Sequence, residues 1–103
     1  MSNPPTLKSD RLSCCAPFCG RTTAKSQHPE ASEWLCPKHW PTVPKKFRRL
    51  LARLKRRARE ADEALRRNPN TTTLLASSEA WRRQWRAWER CKLEAFDRIG
   101  DLP

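Results

Sequence analysis

Four potential metal ligands of this chain fall into two short pairs. The first pair is Cys14 or Cys15 with Cys19, and the second pair is Cys36 with His39. Thiolate and imidazole side chains in sets of four, arranged as a tetrahedron, are the usual ligands of structural zinc. The spacing therefore predicts one zinc ion held by a compact finger, with Cys14 and Cys15 as alternatives at one position.

The redox setting favours metal binding over disulfides. The N-terminal residues lack the apolar core of a signal peptide, so we expect a reduced, cytosolic protein. In such a chain, paired cysteines point to a metal. His28 lies on a polar stretch and is expected to face solvent, while Cys91 is expected to behave as a small buried hydrophobe.

The sequence around the four ligands predicts how the finger is built. Gly20 follows the first pair and can adopt the positive φ that a tight turn needs. Pro37 suits the first position of a helical turn that would carry His39. We expect a flexible arm over residues 1–12 and a zinc finger over residues 13–43.

Residues 44–67 have the pattern of a strong amphipathic helix. Apolar residues recur at spacings of three and four and fall on one face: Phe47, Leu50, Leu51, Leu54, Ala58, Ala61 and Leu65. Nine cations occupy the rest of the circumference before the first acid, Glu60. Pro44 is expected at the first helical position, with Thr42 or Val43 as the cap.

A second helix is predicted from about Glu79 to Ile99, capped by Ser77 or Ser78 and ended by Gly100. Its predicted buried stripe contains Trp81, Trp85, Trp88, Ala95 and Ile99, flanked by Cys91 and Phe96. Leu74 and Leu75, in the connector, are expected to pack against a helix end. The fold class is therefore mainly α: a small zinc finger followed by an antiparallel two-helix hairpin, residues 44–103, packed on the finger as one structural unit.

Charge limits the kinds of partner. The chain carries 22 Lys and Arg against 11 Asp and Glu, a net charge of +11. This excess favours a polyanionic partner, of which nucleic acid is the commonest. The candidate binding residues lie on the first helix: Arg48, Arg49, Arg53, Lys55, Arg56, Arg57 and Arg59. No apolar run is long enough to suggest a membrane partner.

The pattern Cys-x-x-Pro-x-Cys-Gly-Arg, followed by Trp-Leu-Cys-x-x-His-Trp and a basic helix, resembles small zinc-finger proteins of bacteriophages and prophages. It is also similar to treble-clef fingers, in which a knuckle pair and a helix-start pair share one zinc. The resemblance covers roughly residues 14–60 and implies Cys14, Cys19, Cys36 and His39 as ligands. Pro41 and Pro44 differ from a simple treble clef, whose ligand-bearing helix continues.

Two functions follow as hypotheses. The first is a zinc-stabilised, nucleic-acid-binding accessory protein, which the resemblance implies is phage-encoded and acts in the host cytosol. The second is a phage inhibitor or modulator that binds an acidic or nucleic-acid-binding host protein, such as a host nucleic-acid enzyme or defence complex. Catalysis is not expected, because no nucleophile–base pair and no glycine-rich phosphate loop is recognisable. No small-molecule substrate is expected either.

Overall fold

The computed structural model describes residues 11–17, 19–28 and 31–100, with the side chains of residues 99 and 100 excepted. These residues divide into two compact units. One contains the described residues up to Thr42 together with those from Ala95 onward, and the other is Val43–Glu94. The expectation that hairpin and finger pack as one structural unit stays a prediction.

The first unit contains a short antiparallel ladder. Strand β1, Arg11–Ser13, pairs with strand β2, Thr22–Ala24, and Leu12 lies opposite Thr23. β1 begins at Arg11, inside the arm predicted for residues 1–12, and residues 1–10 of that arm lie outside the described range. Short 3₁₀ turns follow at Lys25–Gln27 and Trp40–Thr42.

Helix α1, Lys45–Arg67, is the predicted basic helix. Its apolar face is covered: Leu51 and Ala58 are buried, and the other predicted face residues are half-buried. Pro44 precedes the helix as its cap, where its carbonyl accepts the backbone N–H of Phe47. The structure corrects both predictions for this end: Pro44 is the cap and not the first helical residue, and neither Thr42 nor Val43 occupies the cap position.

Helix α2, Thr71–Gly100, starts eight residues earlier than predicted. Asn70 caps it: the Thr73 backbone N–H donates to Asn70 Oδ1 at 2.9 Å, and the Asn70 backbone N–H donates to Thr73 Oγ1 at 3.0 Å. This reciprocal pair satisfies two backbone groups at the helix start. Ser77 is therefore an interior residue of α2, and the predicted connector does not exist.

The buried face of α2 also differs from the prediction. Ser77, Trp88, Cys91 and Ala95 are buried, whereas Trp85 is 46% exposed. At 100° per residue Trp85 lies about 80° or more around the helix from Ser77 and Cys91, so it cannot share their face. Leu74 and Leu75 are also exposed, because the segment that carries them is helical rather than folded back.

Two contacts show that α1 and α2 run antiparallel. Near the turn, Asp62 accepts hydrogen bonds from Ser77 and Trp81. At the far end, the Cys91 thiol donates to the backbone carbonyl of Phe47. Residue numbers rise along one helix as they fall along the other, which confirms the predicted helical hairpin. Neither helix, within the described residues, offers a stretch long and apolar enough to cross a membrane.

Candidate functional site

The first ligand pair lies in the connection between β1 and β2. The Cys14 backbone N–H donates to the carbonyl of Arg21 at 2.8 Å, which closes the connection at its base. Cys19 donates its N–H to the Ala16 carbonyl at 3.2 Å, forming a tight turn. Gly20 then takes a φ of 74°, the left-handed conformation predicted from the sequence. The turn thereby directs Cys14 and Cys19 to the same place.

The second pair lies on a single helical turn. The backbone N–H groups of His39 and Trp40 both donate to the Cys36 carbonyl, at 2.9 and 2.8 Å. This turn places the side chains of Cys36 and His39 on one side. The Cys36 backbone N–H also donates to Cys14 Sγ at 3.3 Å, which joins the two pairs.

The four side chains meet as a compact cluster. Their ligand atoms all lie within 4.8 Å of one another, and the imidazole presents Nδ1 to the thiols. Cys15, the alternative left open by the sequence, is not in this cluster, and its backbone N–H donates instead to the Trp34 carbonyl at 2.8 Å. His28 is also outside the cluster, and its ring lies 6.2 Å from that of Trp34.

The cluster has dimensions that suit zinc. Zinc–sulfur and zinc–nitrogen bonds of about 2.3 and 2.05 Å give tetrahedral edges of about 3.8 Å between sulfurs and about 3.6 Å between sulfur and nitrogen. The Cys19 and Cys36 sulfurs are 3.7 Å apart, and Cys14 Sγ is 3.6 Å from His39 Nδ1. The Cys36 Sγ to His39 Nδ1 distance is shorter, 3.2 Å. The donor set and its spacing therefore fit a tetrahedral ion.

Two thiols of the cluster differ in acidity. Burial raises the pKa of the Cys14 thiol to about 11. Burial acts on Cys36 in the same direction, but hydrogen bonds from the backbone of His39 and Lys38 and from the neighbouring thiols outweigh it and lower the Cys36 pKa. Metal binding at this site would release thiol protons, because thiolates are the ligands.

The predicted basic face lies on the outside of α1. Arg49, Arg53 and Arg56 are exposed and lie opposite the buried Leu51 and Ala58. Lys55, Arg57 and Arg59 are exposed as well. Arg48 differs from the other candidates: it is half-buried, and its Nε donates to the Val43 carbonyl at 2.9 Å.

Ion pairing is uneven along the hairpin. In α1, Glu63 pairs with Arg66 and Arg67, near the C-terminal end of the helix. In α2, Glu79 pairs with Arg82 and Arg83. Within the described part of the chain, no carboxylate pairs with Arg49, Arg53 or Arg56.

Sequence reasoning missed a polar group in the hairpin. The Ser77 hydroxyl donates to Asp62 Oδ1 at 2.5 Å, and Trp81 Nε1 lies 2.9 Å from both carboxylate oxygens. These hydrogen bonds hold the Asp62 pKa below its ordinary value. Asp62 follows Ala58 by four residues, so its place beside the apolar face was a detectable signal, although its partners were not.

Comparisons with known proteins returned no matching family model, no matching curated protein and no matching solved structure. The resemblance to phage zinc fingers therefore stays a prediction.

Proposed function

We propose that this chain is a zinc-stabilised protein that binds nucleic acid through the outward face of α1. The observation that carries the proposal is the row Arg49, Arg53 and Arg56, exposed on one helix face with no carboxylate paired to it among the described residues. Spacings of four and three keep these guanidinium groups on one side of the helix. A row of unpaired cations suits a phosphate backbone.

The zinc ion has a structural role in this proposal. All four ligands come from short backbone turns, and four protein ligands leave no open position for a substrate. Cys14, Cys19, Cys36 and His39 would hold the ion, and the free energy of metal binding would stabilise the finger. The chain is poor in aliphatic residues, with a mean hydropathy of −0.92, so such a contribution matters to folding.

Binding should depend on charge more than on base sequence. Arginines on an exposed helix can contact phosphates at many registers, whereas base reading needs fixed side chains in a groove. Cells contain nucleic acid in large excess over any single acidic protein surface. We therefore place contact of low sequence specificity ahead of the alternative partner, an acidic host protein.

The test is the salt dependence of binding to random-sequence DNA and RNA. Replacing Arg49, Arg53 and Arg56 with Gln removes three charges and keeps helix propensity. If each contacts a phosphate, the slope of log affinity against log salt falls by up to about three units. Wild-type protein that ignores both nucleic acids at low salt would rule out the proposal.

A matched control removes the same charge from paired positions. Arg66, Arg67 and Arg83 all lie against carboxylates, so their replacement with Gln lowers the net charge equally. The control variant should bind more tightly than the α1 variant and keep more of the salt slope. Equal losses in the two variants would show that net charge, and not the α1 face, determines binding.

A further inference from the structure

Trp85 is a large aromatic side chain that lies outside the core of the hairpin. It is 46% exposed, whereas Trp88, one turn further along α2, is 9% exposed. Trp81 is also engaged, through its hydrogen bond to Asp62. A Trp in water forfeits the apolar burial that usually places it in a core or an interface. Its exposed indole face is therefore a candidate contact surface.

Cations surround Trp85 on α2. The Lys92 ammonium lies 5.9 Å from the centre of the Trp85 ring. Arg82 and Arg86, three residues before and one residue after Trp85, are both exposed. A half-exposed ring with cations beside it can contact a base and its phosphates at the same time.

Helix α1 contributes a cation to the edge of the hairpin on which Trp85 lies. The Asp62–Trp81 hydrogen bond shows which sides of the two helices meet at this edge. Lys55 lies two turns before Asp62 on the same side of α1, and Trp85 lies one turn after Trp81 on α2. Because the helices are antiparallel, moving from Asp62 to Lys55 and from Trp81 to Trp85 leads in the same direction along the hairpin axis. Lys55 and Trp85 therefore lie at a similar height along that axis. Lys55 is exposed.

The acids of this edge are already engaged. Glu89 pairs with Lys92 at 3.1 Å, and Asp62 accepts from Ser77 and Trp81. Lys55 and Arg86, in contrast, are exposed and pair with no carboxylate among the described residues, so the edge presents an aromatic face beside unpaired positive charge. An acidic ligand with flat π-systems complements both features, and single-stranded nucleic acid has exposed bases that a duplex keeps stacked.

We infer that Trp85, with Lys55 of the neighbouring helix, forms a stacking site for an unpaired base of single-stranded nucleic acid. The inference rests on the proposed function and makes it more specific, since it names single strands as the ligand of this edge. Duplex DNA would use the α1 face alone.

The test compares oligothymidylate with a blunt-ended DNA duplex of similar total charge. Trp85→Ala should weaken oligothymidylate binding roughly 5- to 150-fold, the range expected when one stacking aromatic is lost, and leave duplex binding unchanged. Leu75→Ala is the matched control, because Leu75 is an exposed apolar residue of the same helix without a π-face. It should change neither affinity.

Trp85→Phe supplies a second readout that keeps the fold and the aromatic face. It should retain most of the oligothymidylate affinity but lose the part of the tryptophan fluorescence quenching that stacking on Trp85 causes. Unchanged quenching in Trp85→Phe, or unchanged oligothymidylate affinity in folded Trp85→Ala, would overturn the stacking site while leaving duplex binding and the proposed function intact. A self-association lost in Trp85→Ala, with no change in oligonucleotide affinity, would instead assign Trp85 to contact with a second copy. Absence of all nucleic-acid binding by the wild type would overturn the proposed function itself.

Discussion

Trp81 Nε1 on α2 lies 2.9 Å from each carboxylate oxygen of Asp62 on α1. With the Ser77 hydroxyl on the same carboxylate, this contact fixes the register of the hairpin near its turn. Apolar side chains can slide past one another at modest cost, but a hydrogen-bonded carboxylate has one good position. The cluster therefore selects one alignment of the two helices.

Removing the carboxylate should destabilise the hairpin. Asp62→Ala leaves the buried Ser77 hydroxyl without its acceptor, and a charged hydrogen-bond partner of this kind is worth about 1.5–3 kcal/mol. Denaturant unfolding should show a loss of that order. Ser77→Ala in the Asp62→Ala background should cost little more, because the hydroxyl then has no partner to lose. Additive losses from the two substitutions would contradict the coupling.

The same carboxylate should make stability depend on acid pH. Hydrogen bonds from Ser77 and Trp81 hold the folded-state pKa of Asp62 below its ordinary value of 3.8. A depressed pKa stabilises the fold fully above the unfolded value and less as pH falls through the folded one. The stability difference between wild type and Asp62→Asn should therefore be constant near neutrality and shrink below pH 3.8. A difference that persists unchanged in stronger acid would show that the charge contributes nothing.

The start of α2 gives a third prediction. Asn70→Ala removes the side-chain acceptor for the Thr73 N–H and should cost about 1 kcal/mol. Amide hydrogen exchange should quicken over the first turns of α2. The first turns of α1 serve as the internal control, since their cap at Pro44 uses no side chain. Equal protection of the α2 start in wild type and variant would mean that Asn70 does not cap it.

Features that the local spacing of residues determines were predictable from the sequence. Leu51 and Ala58 are buried as expected, because seven-residue spacing keeps them on one helix face. The four clustered ligands were predictable because Cys36 and His39 fit one helical turn and Gly20 permits the knuckle.

The sequence did not predict which of several neighbouring faces of a helix is buried. Trp81, Trp85 and Trp88 lie within one arc of α2, and nothing local shows which side of that arc meets α1. In the structure, α2 is oriented so that Cys91 and Ala95 are buried and Trp85 is not. The early start of α2 was missed because Asn68, Pro69 and Asn70 together indicate a break, while the Asn70–Thr73 pair restarts a helix at once.

The metal centre gives the last prediction. Purified protein should contain one zinc ion per chain, and Cys14→Ala should lose it, because Cys14 Sγ lies 3.6 Å from His39 Nδ1 as a tetrahedral edge requires. Cys15→Ala is the matched control: it removes an adjacent thiol that lies outside the cluster, so metal content should be unchanged.

Cobalt substitution tests the geometry independently of metal content. Three thiolates and one imidazole should give Co²⁺ the visible absorption of a tetrahedral site, and His39→Cys should shift that spectrum without abolishing it.

A strong chelator should lower the temperature at which the β1–β2 ladder melts, since the free energy of metal binding contributes to the free energy of folding. If Cys15→Ala abolished metal binding and Cys14→Ala did not, the first ligand would be Cys15, one residue later in the sequence than the structure places it. If the protein remained fully folded in the chelator, the ion would have no structural role.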